Sequence, residues 1–218
     1  MLWTGGKDSS LALHEAWGEG YDVCCLVTFA PAEPDFLAHP LKFMMMQAQA
    51  LGLAHYVFPV REPYDKGYEA ALRRLRDEMG IGTVITGDIA EVDCRPNWIR
   101  ERSRPLGLNV HTPLWGRDRA TVLDQLLGHG FKVVFSCIKT QWLAEDWVGR
   151  ELNRTAIDDL RMVRERNGID LCGEEGEYHT LVADGPRFRH AIRIKKFSSR
   201  TSETMAYMDI GALELIPK

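Results

Sequence analysis

A glycine-rich turn near the start of the chain has the residue types that hold a phosphate group. This turn, called here the phosphate loop, consists of Thr4, Gly5, Gly6, Lys7, Asp8, Ser9 and Ser10. Its glycines let backbone N–H groups face inward, and the helix that follows adds the positive end of its dipole. The Lys7 ammonium supplies a full positive charge, and the serine hydroxyls can cap the helix or bind phosphate oxygens. The loop therefore predicts a phosphate site, with a simple capped turn as the alternative.

A second glycine-flanked block, near residue 175, is dense in carboxylates. Its sequence is Gly173-Glu174-Glu175-Gly176-Glu177-Tyr178-His179-Thr180. Two carboxylates can hold a cation, either Mg²⁺ or ammonium, and one of them can accept a proton from an attacking ammonium. Glu174 and Glu177 are the candidates for this chemistry, and a solvated acidic turn is the alternative. Because no second His or Cys stands at ligand spacing, His179 is a candidate substrate contact rather than a zinc ligand.

Two further carboxylates stand where Mg²⁺ or a ribose would be bound. Open parallel sheets bind ligands beyond the carboxyl ends of their strands, and Gly87-Asp88 follows a predicted strand. Asp88 is therefore a candidate for Mg²⁺ or ribose, with a plain strand-to-loop turn as the alternative. Asp8 is the candidate metal ligand of the phosphate loop, because Mg²⁺ binds through carboxylates and substrate phosphates. Its alternative role is to cap the helix that follows.

Short apolar runs alternate with helical patterns over the first two-thirds of the chain, which is typical of a parallel α/β sheet. After a strand remnant at residues 2–3, strands are predicted at residues 23–29, 54–60, 83–86, 109–112 and 131–137. Helices are predicted at residues 9–17, 41–51, 64–79, 119–127, and between Pro96 and Gly107. These elements predict a doubly wound, mostly parallel sheet of about six strands.

The pattern changes beyond residue 139. A helix is predicted over residues 142–163, and short alternating segments follow at residues 178–182, 190–196 and 205–210. Period-two alternation suits a small antiparallel sheet. The predicted fold class is therefore α/β with a small C-terminal α+β domain. We expect a nucleotide-binding domain at residues 1–140 and a substrate-binding domain at residues 141–218.

Composition excludes several classes of protein. Among 218 residues, 27 are basic and 31 acidic, so the net charge of −4 argues against a general nucleic-acid-binding surface. No run of about 18 apolar residues occurs, so no membrane span is predicted. The five cysteines form no CxxC pair. Scattered cysteines of this kind favour reduced thiols and a cytoplasmic protein.

The two motifs resemble those of one known family. The phosphate loop lacks the Ser or Thr that follows Lys in a Walker A loop, and it lacks the Rossmann glycine spacing. It closely resembles the SGGKDS loop of the ATP pyrophosphatase (PP-loop) superfamily, and Thr4 stands where that loop has its first Ser. This superfamily is also described as adenine nucleotide alpha hydrolase-like and has the HUP-type fold. The block at 173–180 resembles the GE-x-GE-(Y/F)-HT motif of the diphthine–ammonia ligase family. Thr86-Gly87-Asp88-Ile89, Pro113-Leu114-Trp115 and His39-Pro40 also resemble that family, so the likeness covers essentially the whole chain.

This resemblance implies a ligase that uses ATP and Mg²⁺ to adenylate a carboxylate and then transfers ammonia, releasing AMP and pyrophosphate. The expected nucleotide contacts are the phosphate loop, Thr28, Gly87 and Asp88. The expected catalytic residues are Lys7, Asp8, Glu174 and Glu177. The expected substrate contacts are His39, Arg95, Tyr178 and His179. Asp8 is the expected metal ligand.

The family name implies diphthine on elongation factor 2 as the acceptor and free ammonium as the nitrogen source. However, only 8 of the 27 basic residues are Lys, and Ile is scarce beside Arg, Ala and Gly. This composition suggests a GC-rich genome, which favours a bacterial source. Bacterial members of the family are linked to cobalamin-related amide chemistry, so a small corrinoid acid is the alternative acceptor. The sequence is also compatible with a non-catalytic adenine-nucleotide-binding module or a tRNA-modifying PP-loop enzyme, and it leaves homo-oligomer formation open. Because residues 1–3 alone precede the phosphate loop, we expect a clipped first strand.

Overall fold

The computed structural model describes residues 1–31, 36–91 and 97–218. The α-helices of these ranges are α1 (Lys7–Gly18), α2 (Leu41–Leu51), α3 (Tyr64–Met79), α4 (Trp98–Ser103), α5 (Arg119–Gly128) and α6 (Arg154–Asn167). The strands are β1 (Cys25–Ala30), β2 (Ala54–Pro59), β3 (Thr83–Ile85), β4 (Asn109–His111), β5 (Lys132–Lys139), β6 (Tyr178–Asp184), β7 (His190–Thr201) and β8 (Met205–Pro217). The predicted bounds of α2 and α3 are confirmed. Each of these two helices ends at a left-handed glycine, Gly52 or Gly80, because glycine adopts that conformation without a steric penalty.

The described chain divides into two compact units. Unit 1 comprises residues 1–4, 8–35 and 53–116, and unit 2 comprises residues 5–7, 36–52 and 117–218. The phosphate loop therefore contributes residues to both units. The expected domain boundary at residue 140 stays a prediction. In the described ranges, no helix has the length and apolar character needed to cross a bilayer.

Unit 1 contains parallel strands arranged around the first three residues. β1 pairs with β2 and β3 pairs with β4, each in parallel. Leu2 forms a parallel bridge to Val27, and its amide donates to the carbonyl of Ile85 at 2.9 Å. The spatial order is therefore β2, β1, residues 1–3, β3 and β4. In sheets of this order, ligands bind at the point where the winding direction reverses, which is where residue 4 begins the phosphate loop.

The core of unit 1 forms between the strands and α3. Leu72 and Leu75 lie three positions apart on α3 and pack into one cluster with Val27, Phe58 and Val84. Burying each of these side chains contributes about 1.5–3 kcal/mol. The amphipathic spacing of α3 therefore packs one face of the helix against the strands.

Unit 2 is built on an antiparallel sheet with the strand order β6–β5–β8–β7. The predicted C-terminal antiparallel segments are confirmed. The prediction that residues 131–137 form the last strand of the parallel sheet is wrong, because β5 pairs antiparallel with β6 and β8. β5 is a central, largely buried strand, so its apolar run looks the same as that of a doubly covered parallel strand.

The single helix predicted over residues 142–163 is also wrong. A 3₁₀ turn at Glu145–Trp147 is followed by Gly149 at a φ of 85°, and α6 begins only at Arg154. Between the 3₁₀ turn and α6, Glu151 forms a β-bridge to Val134 of β5. This pairing with the sheet interrupts the predicted helix. Asn153 then starts α6, because its side chain accepts a hydrogen bond from the amide of Ala156 at 3.0 Å.

Candidate functional site

In unit 2, the middle of the phosphate loop runs beside β6. The amide of Val182 donates to the carbonyl of Gly5 at 3.0 Å. The amide of Lys7 donates to the hydroxyl of Thr180 at 3.1 Å. Gly5 has a φ of 76°, a left-handed conformation that favours glycine. The structure thus brings Gly5, Gly6 and Lys7 against the end of the 173–180 block, so the two sequence motifs meet within one unit.

The Lys7 side chain lies inside unit 2. Its residue surface is only 3% exposed, and its ammonium group donates to the backbone carbonyl of Cys172. The ammonium nitrogen also lies 5.3 Å from the centre of the Tyr178 ring, a favourable cation–π distance. The predicted phosphate-binding lysine is therefore oriented by residues on both sides of the turn that carries Glu174.

Glu177 shapes that turn. It is 3% exposed, and its two carboxylate oxygens accept the amides of Asp170 at 2.7 Å and Glu175 at 3.1 Å. The hydroxyl of Tyr178 donates to the carbonyl of Leu171 at 2.7 Å. Glu177 and Tyr178, which are both predicted site residues, therefore hold the backbone of the turn. Glu174 lies on this turn and is half-buried.

A polar pair that no sequence pattern predicted, Asp170 and Arg119, supports the same turn. Asp170 accepts the amide of Cys172 at 2.7 Å through one oxygen and Arg119 Nε at 2.8 Å through the other. Arg119 begins α5, and 51 residues separate it from Asp170. No local sequence pattern links residues so far apart, so nothing in the sequence indicated this pair.

His39 and His179 come together in unit 2, as two predicted substrate contacts. Their ring centres lie 5.2 Å apart in an edge-to-face arrangement. Burial, followed by the nearby His179 and Lys7, lowers the pKa of His39 to about 3. Burial, followed by Lys7 and Lys139, lowers the pKa of His179 to about 4. Both imidazoles are therefore neutral at physiological pH, and Nδ1 of His39 is buried with no hydrogen-bond partner in the described ranges.

In unit 1, Gly87 lies against the start of α1. A Cβ atom at this position would lie 2.7 Å from the carbonyl carbon of Asp8 and 2.7 Å from the amide nitrogen of Ser9. Only glycine allows so close an approach between two backbones. The structure therefore brings the predicted Gly87-Asp88 segment to the phosphate loop, where the hydroxyls of Thr4 and Ser9 also lie 3.2 Å apart.

Asp88 is held in place from two directions. One of its carboxylate oxygens accepts hydrogen bonds from the Thr86 hydroxyl at 2.7 Å and from Asn97 Nδ2 at 2.5 Å. The side-chain oxygen of Asn97 accepts the amide of Arg100 at 2.8 Å, so Asn97 is also the N-cap of α4. Asn97 was missed at the sequence level, although an Asn before a helical pattern is a recognisable cap.

Thr28 is part of a hydrogen-bond network at the centre of unit 1. Its hydroxyl donates to the carbonyl of Trp3 at 2.7 Å and lies 2.8 Å from Nε2 of His55. Because a hydroxyl has one proton, Nε2 of His55 must be the donor to Thr28. Burial lowers the pKa of His55, which stabilises the neutral ring. No sequence pattern pointed to His55, and the expected contact between Thr28 and the nucleotide stays a prediction.

The donor set of the phosphate loop fits a nucleoside triphosphate. Gly5 and Gly6 precede the N-terminus of a 12-residue helix, where amides and the helix dipole favour anions. In residues 1–31, 36–91 and 97–218, no group of three or more His, Cys, Asp or Glu side chains forms a metal cage. Mg²⁺ needs no such cage, because one or two carboxylates and the phosphates suffice. Arg95, and with it Cys94, lies outside the described residues.

The chain is similar to known proteins along nearly its whole length. Residues 1–110 match the model for the diphthamide synthase N-terminal domain, and residues 118–216 match that for the diphthamide synthase C-terminal domain. The diphthine–ammonia ligase of Danio rerio is 24% identical over 237 residues, covering 97% of this chain and 92% of the relative. The diphthine–ammonia ligase of Mus musculus is 22% identical over 242 residues, covering 98% of this chain and 89% of the relative. A solved structure, described as a predicted subunit of tRNA methyltransferase from Methanocaldococcus jannaschii, has a TM-score of 0.48 at 19% identity and covers 85% of this chain and 95% of that chain.

Proposed function

Because the chain belongs to the diphthamide synthase family, we propose that it is an ATP-dependent ligase that joins ammonia to the carboxylate of diphthine. AMP and pyrophosphate are the other products. The observation that carries this proposal is the match of both domain models, which together span residues 1–110 and 118–216. Relatives named diphthine–ammonia ligase that align over nearly the whole chain support it.

The chemistry requires an activated carboxylate, because a carboxylate does not react with ammonia in water. Adenylation needs in-line attack on the α-phosphate, with the leaving pyrophosphate held in place. The Lys7 ammonium and the amides that follow Lys7 in the first turn of α1 supply donors for that negative charge. The Cys172 carbonyl accepts one of the three N–H bonds of the Lys7 ammonium, which fixes where that charge lies.

The proposed metal ligands are the carboxylates of Asp8, in the phosphate loop, and of Asp88, which follows β3. Asp8 and Asp88 both lie in unit 1, close to the backbone contact between Gly87 and α1. Mg²⁺ bound there would neutralise charge on the phosphate oxygens. The Thr86 and Asn97 hydrogen bonds orient Asp88 for this role.

We place the acceptor and ammonium beside the 173–180 turn in unit 2. Glu174 is the proposed proton acceptor for ammonium, and Glu177 holds the turn that presents it. His39 and His179 are neutral, so they offer hydrogen bonds to an acceptor without adding charge beside Lys7. Arg95 and Tyr178 are the other proposed substrate contacts. A cytoplasmic location is proposed as well, and the free thiols of Cys24, Cys25, Cys137 and Cys172 support it.

Product analysis tests this function. The purified protein is incubated with ATP, Mg²⁺, ammonium and either diphthine-bearing elongation factor 2 or a panel of corrinoid acids. We expect AMP, pyrophosphate and an amidated factor peptide, detected by mass spectrometry, only with the diphthine-bearing factor. If only a corrinoid acid is amidated, the identity of the acceptor is wrong but the class of reaction is right. ADP and phosphate as products, or ATP binding without turnover on any acceptor, would contradict the proposed ligase.

A further inference from the structure

Gln47 is a polar residue that lies entirely buried inside unit 2. It sits in the middle of α2 and has 0% exposed surface. Burying an amide is costly unless its hydrogen bonds are made. Its Nε2 donates to the carbonyl of Gly5 at 2.8 Å and to the carbonyl of Val182 at 2.8 Å. Both N–H bonds of the amide are therefore used to join the phosphate loop to β6.

Thr180 adds a second connection between the same two segments. The Gly5 carbonyl accepts from both Gln47 and the amide of Val182, and the amide of Lys7 donates to the Thr180 hydroxyl. Residues 5 to 7 therefore run along residues 182 to 180 with a polar contact at each end. Since Lys7 spends its own amide on Thr180, that amide is not directed at a phosphate.

These contacts determine the direction of one amide in the loop. In a planar trans peptide, the C=O bond and the following N–H bond point in opposite directions. The Gly5 carbonyl is held toward Gln47 and β6, so the N–H bond of Gly6 points away from them. Rotation of this peptide would break the two hydrogen bonds that the Gly5 carbonyl accepts from Gln47 and from the amide of Val182.

The fit between Gln47 and Gly5 is also steric. A Cβ atom on Gly5 would lie 2.3 Å from Oε1 of Gln47 and 3.1 Å from Cγ of Met44. The glutamine side chain therefore fills the space that a larger residue in the loop would need.

We propose that Gln47 and Thr180 are positioning residues that set the peptide orientation of the phosphate loop for ATP. Neither touches the nucleotide in this assignment, and both act through the backbone of residues 5–7. The assignment rests on the proposed function insofar as it takes ATP to be the ligand of the loop.

The test is the dissociation constant for ATP with Mg²⁺, measured by calorimetry without an acceptor, in the full chain. Gln47→Met keeps the length of the side chain and removes both donors. Gln49→Met makes the same chemical change at an exposed position of the same helix and is the matched control. Two hydrogen bonds of ordinary strength correspond to a loss of about 30-fold in ATP affinity. We expect that loss in Gln47→Met, an unchanged value in Gln49→Met, and a raised KM for ATP with the acceptor KM unchanged.

Thr180 provides an independent variant if Gln47→Met does not fold. Thr180→Val removes the hydroxyl with little change in shape, and Thr180→Ser restores it. We expect weaker ATP binding in the first variant and recovery in the second. A folded Gln47→Met or Thr180→Val protein that binds ATP within twofold of the unaltered chain overturns the assignment. If the unaltered chain itself does not bind ATP, the proposed function fails as well.

Discussion

The ammonium group of Lys7 donates a hydrogen bond to the backbone carbonyl of Cys172. Lys7 belongs to the phosphate loop, and Cys172 directly precedes the 173–180 block, so this bond joins two motifs that lie 165 residues apart in the sequence. The turn around Cys172 is in turn held by Asp170 and Glu177. The second motif therefore has a structural task, which is to orient the lysine of the first.

Replacing Lys7 should abolish most activity with a smaller effect on folding. Lys7→Met keeps an unbranched side chain of similar length and removes the charge. We expect the rate of AMP formation to fall by about 10²- to 10³-fold, as when a donor to developing charge is lost. Lys42→Met, at an exposed position in unit 2, is the control and should retain full activity. A Lys7→Met protein with near-normal turnover would contradict the role of Lys7.

Adding a methyl group at Gly87 should destabilise the protein. In Gly87→Ala the new Cβ atom would lie 2.7 Å from backbone atoms of Asp8 and Ser9, which cannot move without shifting α1. We expect the free energy of unfolding, from urea titration, to fall by about 1–3 kcal/mol. Gly82→Ala is the matched control, because a Cβ atom there meets nothing within 4 Å. Equal stability of the two variants would contradict the close approach of the Gly87 backbone to Asp8 and Ser9.

Changing Glu174 to Gln and changing Glu177 to Gln should have different effects, the first on activity and the second on stability. Glu177→Gln turns an acceptor into an NH₂ group that faces a backbone amide, so we expect a loss of about 1–3 kcal/mol in the free energy of unfolding. Glu174→Gln should leave stability within about 0.5 kcal/mol, because the side chain is partly exposed. Its effect should instead be a raised KM for ammonium. A Glu177→Gln protein with unchanged free energy of unfolding would contradict the role of Glu177 in holding the turn.

Acid should destabilise the fold through the buried histidines. The unfolded chain takes up a proton at each histidine near pH 6.5, whereas the folded pKa values are about 3 for His39 and about 4 for His179. This stability is complete above about pH 6.5 and is lost progressively as the pH falls towards those lower values. At pH 5 the loss is about 2 kcal/mol for each residue.

The measurement is urea unfolding of the unaltered chain and of His39→Gln at several values between pH 5 and pH 7.5. We expect the free energy of unfolding of His39→Gln to fall less steeply towards pH 5. His129→Gln, at an exposed position, is the control and should follow the unaltered chain. Equal slopes in all three proteins would mean that His39 is not buried in a neutral state.

Local patterns were sufficient for much of the fold and for the position of the main motif. The apolar spacing of α2 and α3 and their terminal glycines predicted both helices, because these signals lie within a few residues of each other. The same holds for the phosphate loop and for the position of Gly87-Asp88 after a strand, whereas the approach of Gly87 to Asp8 and Ser9 was not predicted. The direction of β5 and the break before α6 were not predictable, since both depend on pairing partners far along the chain.

By itself, the sequence determined the residue types that can bind a phosphate, the α/β class and the resemblance that identifies the reaction. Those properties follow from short-range order: glycines beside a helix start, alternating apolar runs, and two compact motifs. Only the tertiary structure decided that Gln47, Asp170 and Arg119 support the site and that Glu177 holds a turn. The physical reason is that a buried polar group must find its hydrogen-bond partner wherever the fold provides one, and sequence distance carries no information about that partner.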